Sequence, residues 1–141
     1  MARQSFALNS FKICIDVKSM GTSDNVVQMK SENFAIAVVN AYKDLTLTKN
    51  EFILSKQLLR SGTSIGANIA ESECASSEND FVNKLYIALK ECNESLYWLR
   101  LLYKTDYINE ERYSLLANDC SEIKRILTSS IKTIRDRQAT Q

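Results

Sequence analysis

The stretch KRILTSSIKTIRDR, residues 124–137, sets Lys124, Arg125, Lys132, Arg135 and Arg137 against a single acid, Asp136. Long cationic side chains of this kind neutralise phosphates and release the counterions condensed on a nucleic acid. At helical spacing Arg125, Lys132 and Arg135 share one exposed face, so the candidate contact is a positive stripe on a helix. The bland alternative is a solvated helix end whose cations complement the C-terminal dipole. No stacking platform or base-reading motif accompanies the run, so any contact to RNA or DNA is expected to lack sequence specificity.

Other chemistries are mostly excluded. The chain has no histidine, which removes Ser-His and Cys-His nucleophile pairs, imidazole metal ligands and the Glu-x-x-His motifs of di-metal bundles. Cys14, Cys74, Cys92 and Cys120 are far apart in sequence and form no CxxC pair, so reduced thiols are expected rather than a zinc site or redox dithiol. No carboxylate or lysine constellation suggests catalysis. The expectation is a protein that is not an enzyme and needs no metal or cofactor.

A chain of 141 residues, 45% hydrophobic and 25% charged, has the length and composition of one globular domain with its own core. The net charge is +1, so any polyanion signal must be local. No run of about eighteen apolar residues exists and no apolar signal region opens the chain, which predicts a cytoplasmic protein without membrane contact.

The elements that would position the cations are helices, and the absence of proline suits them. Residues 1–28 are weakly alternating and rich in turn formers, which suggests an extension or arm ahead of a bundle over 29–137 and a tail at 138–141. Ser31 is read as the N-cap of a first helix with Phe34, Val38, Ala41 and Leu45 on its buried side. Thr48 and Glu51 form a capping-box signature before a second helix carrying Leu54, Leu58, Ile65 and Ile69. Ser77 with Asp80 repeats the signature before a third, whose heptad is Val82, Leu85, Leu89, Cys92, Leu96, Leu99 and Tyr103. Asn109 caps a fourth, with Tyr113, Leu116, Cys120, Ile123, Leu127 and Ile134 along its seam. Four long helices joined by short loops predict an all-α, antiparallel up-down four-helix bundle.

The second helix contains RSGTSIGANIAESE, an unusual density of glycine, serine, threonine and asparagine for a helix. Leu58, Gly62, Ile65 and Ile69 point one way, and Thr63, Gly66, Ala67 and Ala70 fall largely on other faces. Small residues on several sides would let neighbouring helices approach closely, which offsets the lost propensity. Asn68 lies beside the seam and is expected to fix register through its amide.

LLRSGTSIGANIAES followed by DFVNKLYIALKECNESLYWLRLL resembles the small bacterial "four helix bundle protein" family, also called 23S rRNA intervening-sequence proteins, over about residues 26–127. Within the motif, Gly62, Ser64, Ile65, Gly66, Asn68, Ala70 and Glu71 carry the resemblance. Ser72 stands where the family more often has glycine. The resemblance implies a ring-like homo-pentamer. Through the fold-related accessory variability determinant of diversity-generating retroelements, it also implies a partner that is nucleic acid or a nucleic-acid-processing protein. KSENFAIAVVNAYKDL is similar to the family's usual first helix, which makes Met20 or Met29 a natural start.

Independently of resemblance, Ile87, Tyr97, Trp98 and Leu101 lie off the third helix's heptad, so a lone bundle is expected to leave them facing solvent as an oligomer interface. An N-terminal arm folded over them is the alternative. Two functions follow. One is a non-catalytic oligomeric scaffold binding RNA, DNA or a nucleoprotein partner by electrostatics. The other is a protein-protein interaction oligomer with no nucleic-acid role.

Overall fold

Apolar side chains recurring every three or four residues, uninterrupted by proline, build four helices among the described residues. The computed structural model of the chain describes residues 22–141, with side chains from residue 26. The helices are α1 (Thr22–Leu47), α2 (Leu54–Ser72), α3 (Glu78–Lys104) and α4 (Glu110–Ala139). Among the described residues each helix packs on the next and α4 closes on α1, while the backbones of diagonal pairs stay apart, so the bundle is up-down and antiparallel. No helix among the described residues is long and apolar enough to cross a membrane.

On α1 the buried row is Val27, Ser31, Phe34, Val38, Ala41 and Leu45, which contains the four apolar positions expected from spacing and extends them towards the N-terminus. The helix starts at Thr22, so Ser31 is interior rather than a cap, and its hydroxyl donates to the Gln28 carbonyl at 2.8 Å. Residues 1–21 of the expected arm lie outside the described residues. Thr22 to Gln28 are helical, and Val27 belongs to the core.

The expected Thr48–Glu51 capping box does not form. The Thr48 hydroxyl instead meets Asp44 Oδ1 at 3.2 Å. Asn50 takes a left-handed φ of 52°, a conformation asparagine tolerates, and turns the chain so that Glu51 N–H donates to the Leu45 carbonyl. The Glu51 carboxylate then accepts from the backbone N–H groups of Ile53, Leu54 and Ser55 at 3.1, 2.8 and 2.6 Å. A buried carboxylate is thus the anion at the positive end of α2. Burial raises its pKa, but the three backbone N–H groups and the Ser55 hydroxyl outweigh that, and the carboxyl ends below its ordinary value.

The small residues of α2 face two neighbours. Both glycines meet α1: a Cβ on Gly62 would stand 2.9 Å from both Val38 methyl carbons, and one on Gly66 would stand 3.2 Å from Ser31 Oγ. Gly66 therefore faces a helix crossing, not a separate outer face. Towards α3, the buried Ser61 hydroxyl accepts from Ser95 at 2.9 Å and donates to the Leu58 carbonyl. Asn68 fixes no register between helices, because its amide donates to the Ser64 carbonyl of its own helix at 2.8 Å.

The buried seam of α3 is rotated from the expected heptad. Val82, Leu85, Cys92 and Leu99 are buried as expected, but the other row is Phe81, Ala88, Ser95 and Leu102. Leu89, Leu96 and Tyr103 are only partly buried at its edge. On α4, Leu116, Cys120, Ile123, Leu127 and Ile134 are buried as expected, while Tyr113 is half-buried and stacks on Tyr103 with ring centroids 4.6 Å apart. Cys120 donates to the Cys92 carbonyl at 3.4 Å. The Cys92 thiol is pushed far up by its contact with the Cys120 sulfur and by burial, so it stays protonated. Cys74, Cys92 and Cys120 are free, and Cys14 lies outside the described residues.

Gly62→Ala is expected to destabilise the bundle by about 1–3 kcal/mol, because the new methyl overlaps Val38 by more than the helix propensity gained can offset. Gly66→Ala, which meets only a small hydroxyl side chain, should stay within about 1 kcal/mol of wild type in the same urea melts. The Glu51 carboxyl has a depressed folded-state pKa, so its contribution is complete above the ordinary glutamate value of 4.5 and is lost as pH falls through the folded value. Glu51→Gln should accordingly be less stable than wild type by about 1–2 kcal/mol at pH 7, with the difference closing as both are melted at progressively more acid pH.

Candidate nucleic-acid interface

The fourth helix is set by its cap and its seam. Asn109 Oδ1 accepts from Arg112 N at 2.8 Å, and Glu110 and Glu111 occupy the first turn, where the helix dipole favours acids. Burying Leu116 to Ile134 against the other helices turns the opposite side of α4 outward. On that side Ser121, Lys124, Arg125, Thr128, Ser129 and Lys132 line a shallow groove of about 540 Å³. Leu96 contributes its wall from α3. Arg125 and Lys132 are exposed and Lys124 is half-buried. None of these three makes an ion pair or side-chain hydrogen bond among the described residues. Thr128 Oγ1 donates to the Lys124 carbonyl at 2.8 Å, leaving its lone pairs to accept.

The other two expected phosphate ligands are drawn away by the start of α3. Arg137 Nη2 pairs with Glu78 Oε2 at 2.6 Å. Arg135 Nη1 donates to Asn79 Oδ1 at 3.1 Å and to Gln138 Oε1 at 2.8 Å. Gln138, expected in the tail, donates from Nε2 to Glu78 Oε1 at 2.8 Å within a helix that runs on to Ala139. The structure therefore gathers Lys124, Arg125 and Lys132 into one free set and leaves Arg135 and Arg137 in a polar clasp joining the ends of α3 and α4. Ser121, Thr128 and Ser129 were missed by a reading that followed charge alone; their spacing relative to the cations was the available signal.

The expected oligomer residues are split as well. Ile87 and Tyr97 are exposed, at 40% and 45%, and Tyr86 joins them at 40%. Trp98 and Leu101 are half-buried. The Trp98 ring packs on the core edge-on to Tyr97, and its N–H donates to Glu94 Oε1 at 3.1 Å. Glu94 also binds Arg60, which holds its carboxyl below the usual range; Arg60 reaches Glu91 at 3.4 Å. A second apolar set, Leu47, Phe52 and Ile53, is exposed at the α1–α2 turn, where a loop carries no periodicity to signal it.

The glycine-rich motif is structural in this geometry. Gly62 and Ile65 face the core and Gly66 faces Ser31. Ser64 donates to the Arg60 carbonyl, Ala70 is exposed, and Glu71 pairs with Lys84 at 2.9 Å. No cluster of three or more acidic, cysteine or histidine ligands that could hold a metal lies among the described residues.

Residues 23–129 match the family described as 23S rRNA-intervening sequence protein. The chain is also similar to a protein of unknown function from the S23 ribosomal protein family of Bacteroides thetaiotaomicron VPI-5482, whose crystal structure was determined at 1.70 Å resolution. The two are 57% identical with a TM-score of 0.78, and the alignment covers 79% of this chain and 99% of that one. No curated protein matches.

Proposed function

The chain belongs to the 23S rRNA-intervening sequence protein family, and from that premise we propose that it is a non-catalytic, self-associating helical scaffold that holds nucleic acid by its backbone. The observation that carries this reading is the division of charge on α4. Lys124, Arg125 and Lys132 face solvent along a groove with no acid among its lining residues, while the remaining cations of the run are bonded to α3. Three cations on one subunit bind phosphate weakly. A closed ring, five copies first, repeats the stripe and converts weak contacts into avidity. Self-association draws on the exposed Tyr86, Ile87 and Tyr97 of α3, an apolar patch that costs free energy in water. A purely protein-binding oligomer is the second reading, supported by the exposed Leu47, Phe52 and Ile53 cluster.

The two readings separate in a fluorescence-anisotropy titration at about 50 mM salt, where phosphate contacts are strongest. Wild type should bind RNA and DNA, with log affinity falling linearly in log salt at a slope of about −3 for each engaged subunit. Lys124→Gln, Arg125→Gln and Lys132→Gln together should abolish retention without changing the mass seen by light scattering. Arg135→Gln with Arg137→Gln should bind almost as wild type and melt earlier. Absence of wild-type binding leaves the protein-scaffold reading standing, and a monomeric wild type at micromolar concentration removes the self-association.

A further inference from the structure

The groove on α4 carries more than positive charge: it is built as two kinds of row. Arg125 and Lys132 are seven residues apart, two helical turns, and so lie one above the other. Ser121 and Thr128 repeat the same interval beside them and form a hydroxyl row, with Ser129 on the other side of the two cations. Lys124 and Lys132 lie about 12 Å apart along the axis, a length over which a duplex presents several phosphates.

Proteins that hold single strands combine a positive groove with aromatic side chains on which bases stack. None of the residues lining this groove is aromatic. The exposed Tyr86 and Tyr97 are on α3, and Tyr103 and Tyr113 are stacked on each other. An unpaired base would therefore meet aliphatic stems and Leu96, with no ring to cover it. A paired strand keeps its base faces stacked inside and presents along its outside an alternation of phosphate and ribose, and that is what a cation row beside a hydroxyl row can meet. The Thr128 hydroxyl already donates to the Lys124 carbonyl, so its oxygen is set to accept, while the Ser121 and Ser129 hydroxyls have no partner among the described residues and can donate or accept. The group on a nucleic acid that both donates and accepts beside each phosphate is the ribose 2′-hydroxyl, which DNA lacks.

We infer that the ligand class of this site is the sugar–phosphate backbone of base-paired RNA, phosphates meeting Arg125, Lys132 and Lys124 and 2′-hydroxyls meeting Ser121, Thr128 and Ser129. The inference rests on the nucleic-acid reading above and narrows it.

The test is anisotropy of the full chain against three labelled probes of one sequence: an RNA duplex of about 20 base pairs, the DNA duplex, and an unstructured single RNA strand. Wild type should prefer the RNA duplex over the DNA duplex by at least about 5-fold, and over the single strand by more. Ser121→Ala, Thr128→Ala and Ser129→Ala together should lower RNA-duplex affinity by about 5–10-fold to the DNA level and leave DNA-duplex affinity unchanged. Alanine favours helix, and a thermal melt confirms that the variant is folded. A single strand bound as tightly as the duplex, equal binding of the two duplexes, or an equal loss on both in the alanine variant overturns this inference and leaves the nucleic-acid reading intact. Failure of wild type to bind any probe overturns both.

Discussion

A Cβ on Gly62 has no room: Val38 already occupies the place it would take, with both methyl carbons at 2.9 Å. The first two helices therefore cross where one has no side chain at all, and much of the bundle's geometry follows from that approach. Gly66 repeats the allowance against Ser31. On its other flank α2 meets α3, and there the buried Ser61 and Ser95 hydroxyls bond to each other. Ala88 continues the small row on α3, and Cys92 faces Cys120 across the α3–α4 contact. The large side chains Phe34, Leu45, Leu58, Ile65, Leu99, Leu102, Ile123 and Leu127 fill the centre, each burial stabilising by about 1.5–3 kcal/mol. The low helix propensity of the glycine-rich segment is offset by this close contact on two sides.

That geometry also sorts the charge. The N-terminal turn of α3 lies beside the last turns of α4, so Glu78 and Asn79 take up Arg137 and Arg135. Further back along α4 the neighbouring wall is Leu96, which offers no anion, and Lys124, Arg125 and Lys132 are left to solvent. A near-neutral chain can thus keep one uncompensated positive stripe. Its hydroxyl row lies on the same helix at the same interval, so the two cannot be separated without breaking the helix.

The helix order, the α1 and α4 seams and the Ser77 and Asn109 caps were legible because each depends on residues three or four apart. Three features were not. The N-terminal bonding of α2 needed the left-handed turn at Asn50, which places the Glu51 carboxylate ahead of the N-cap residue Ile53, where it accepts from the first N–H groups in place of a capping box. Serines at 55, 61 and 72 carry no apolar signal, yet each is buried with its hydroxyl bonded to a carbonyl of the preceding turn. The α3 seam turned towards Ala88 and Ser95 because the close α2 contact selects for size before hydrophobicity, which displaced the leucines to the edge. On the site, charge was legible and its division was not, since Glu78 and Arg137 are 59 residues apart in sequence.

On the proposed function, the outward stripe of α4 is where a polyanion touches this protein. Lysine footprinting tests it directly: acetylation of each lysine is followed by mass spectrometry with and without an RNA duplex at low salt. Lys124 and Lys132 are expected to become protected together while the exposed Lys56, Lys90 and Lys104 on α2 and α3 keep their reactivity. Unchanged reactivity at 124 and 132 beside bound RNA, or protection centred on α2 and α3, would contradict it.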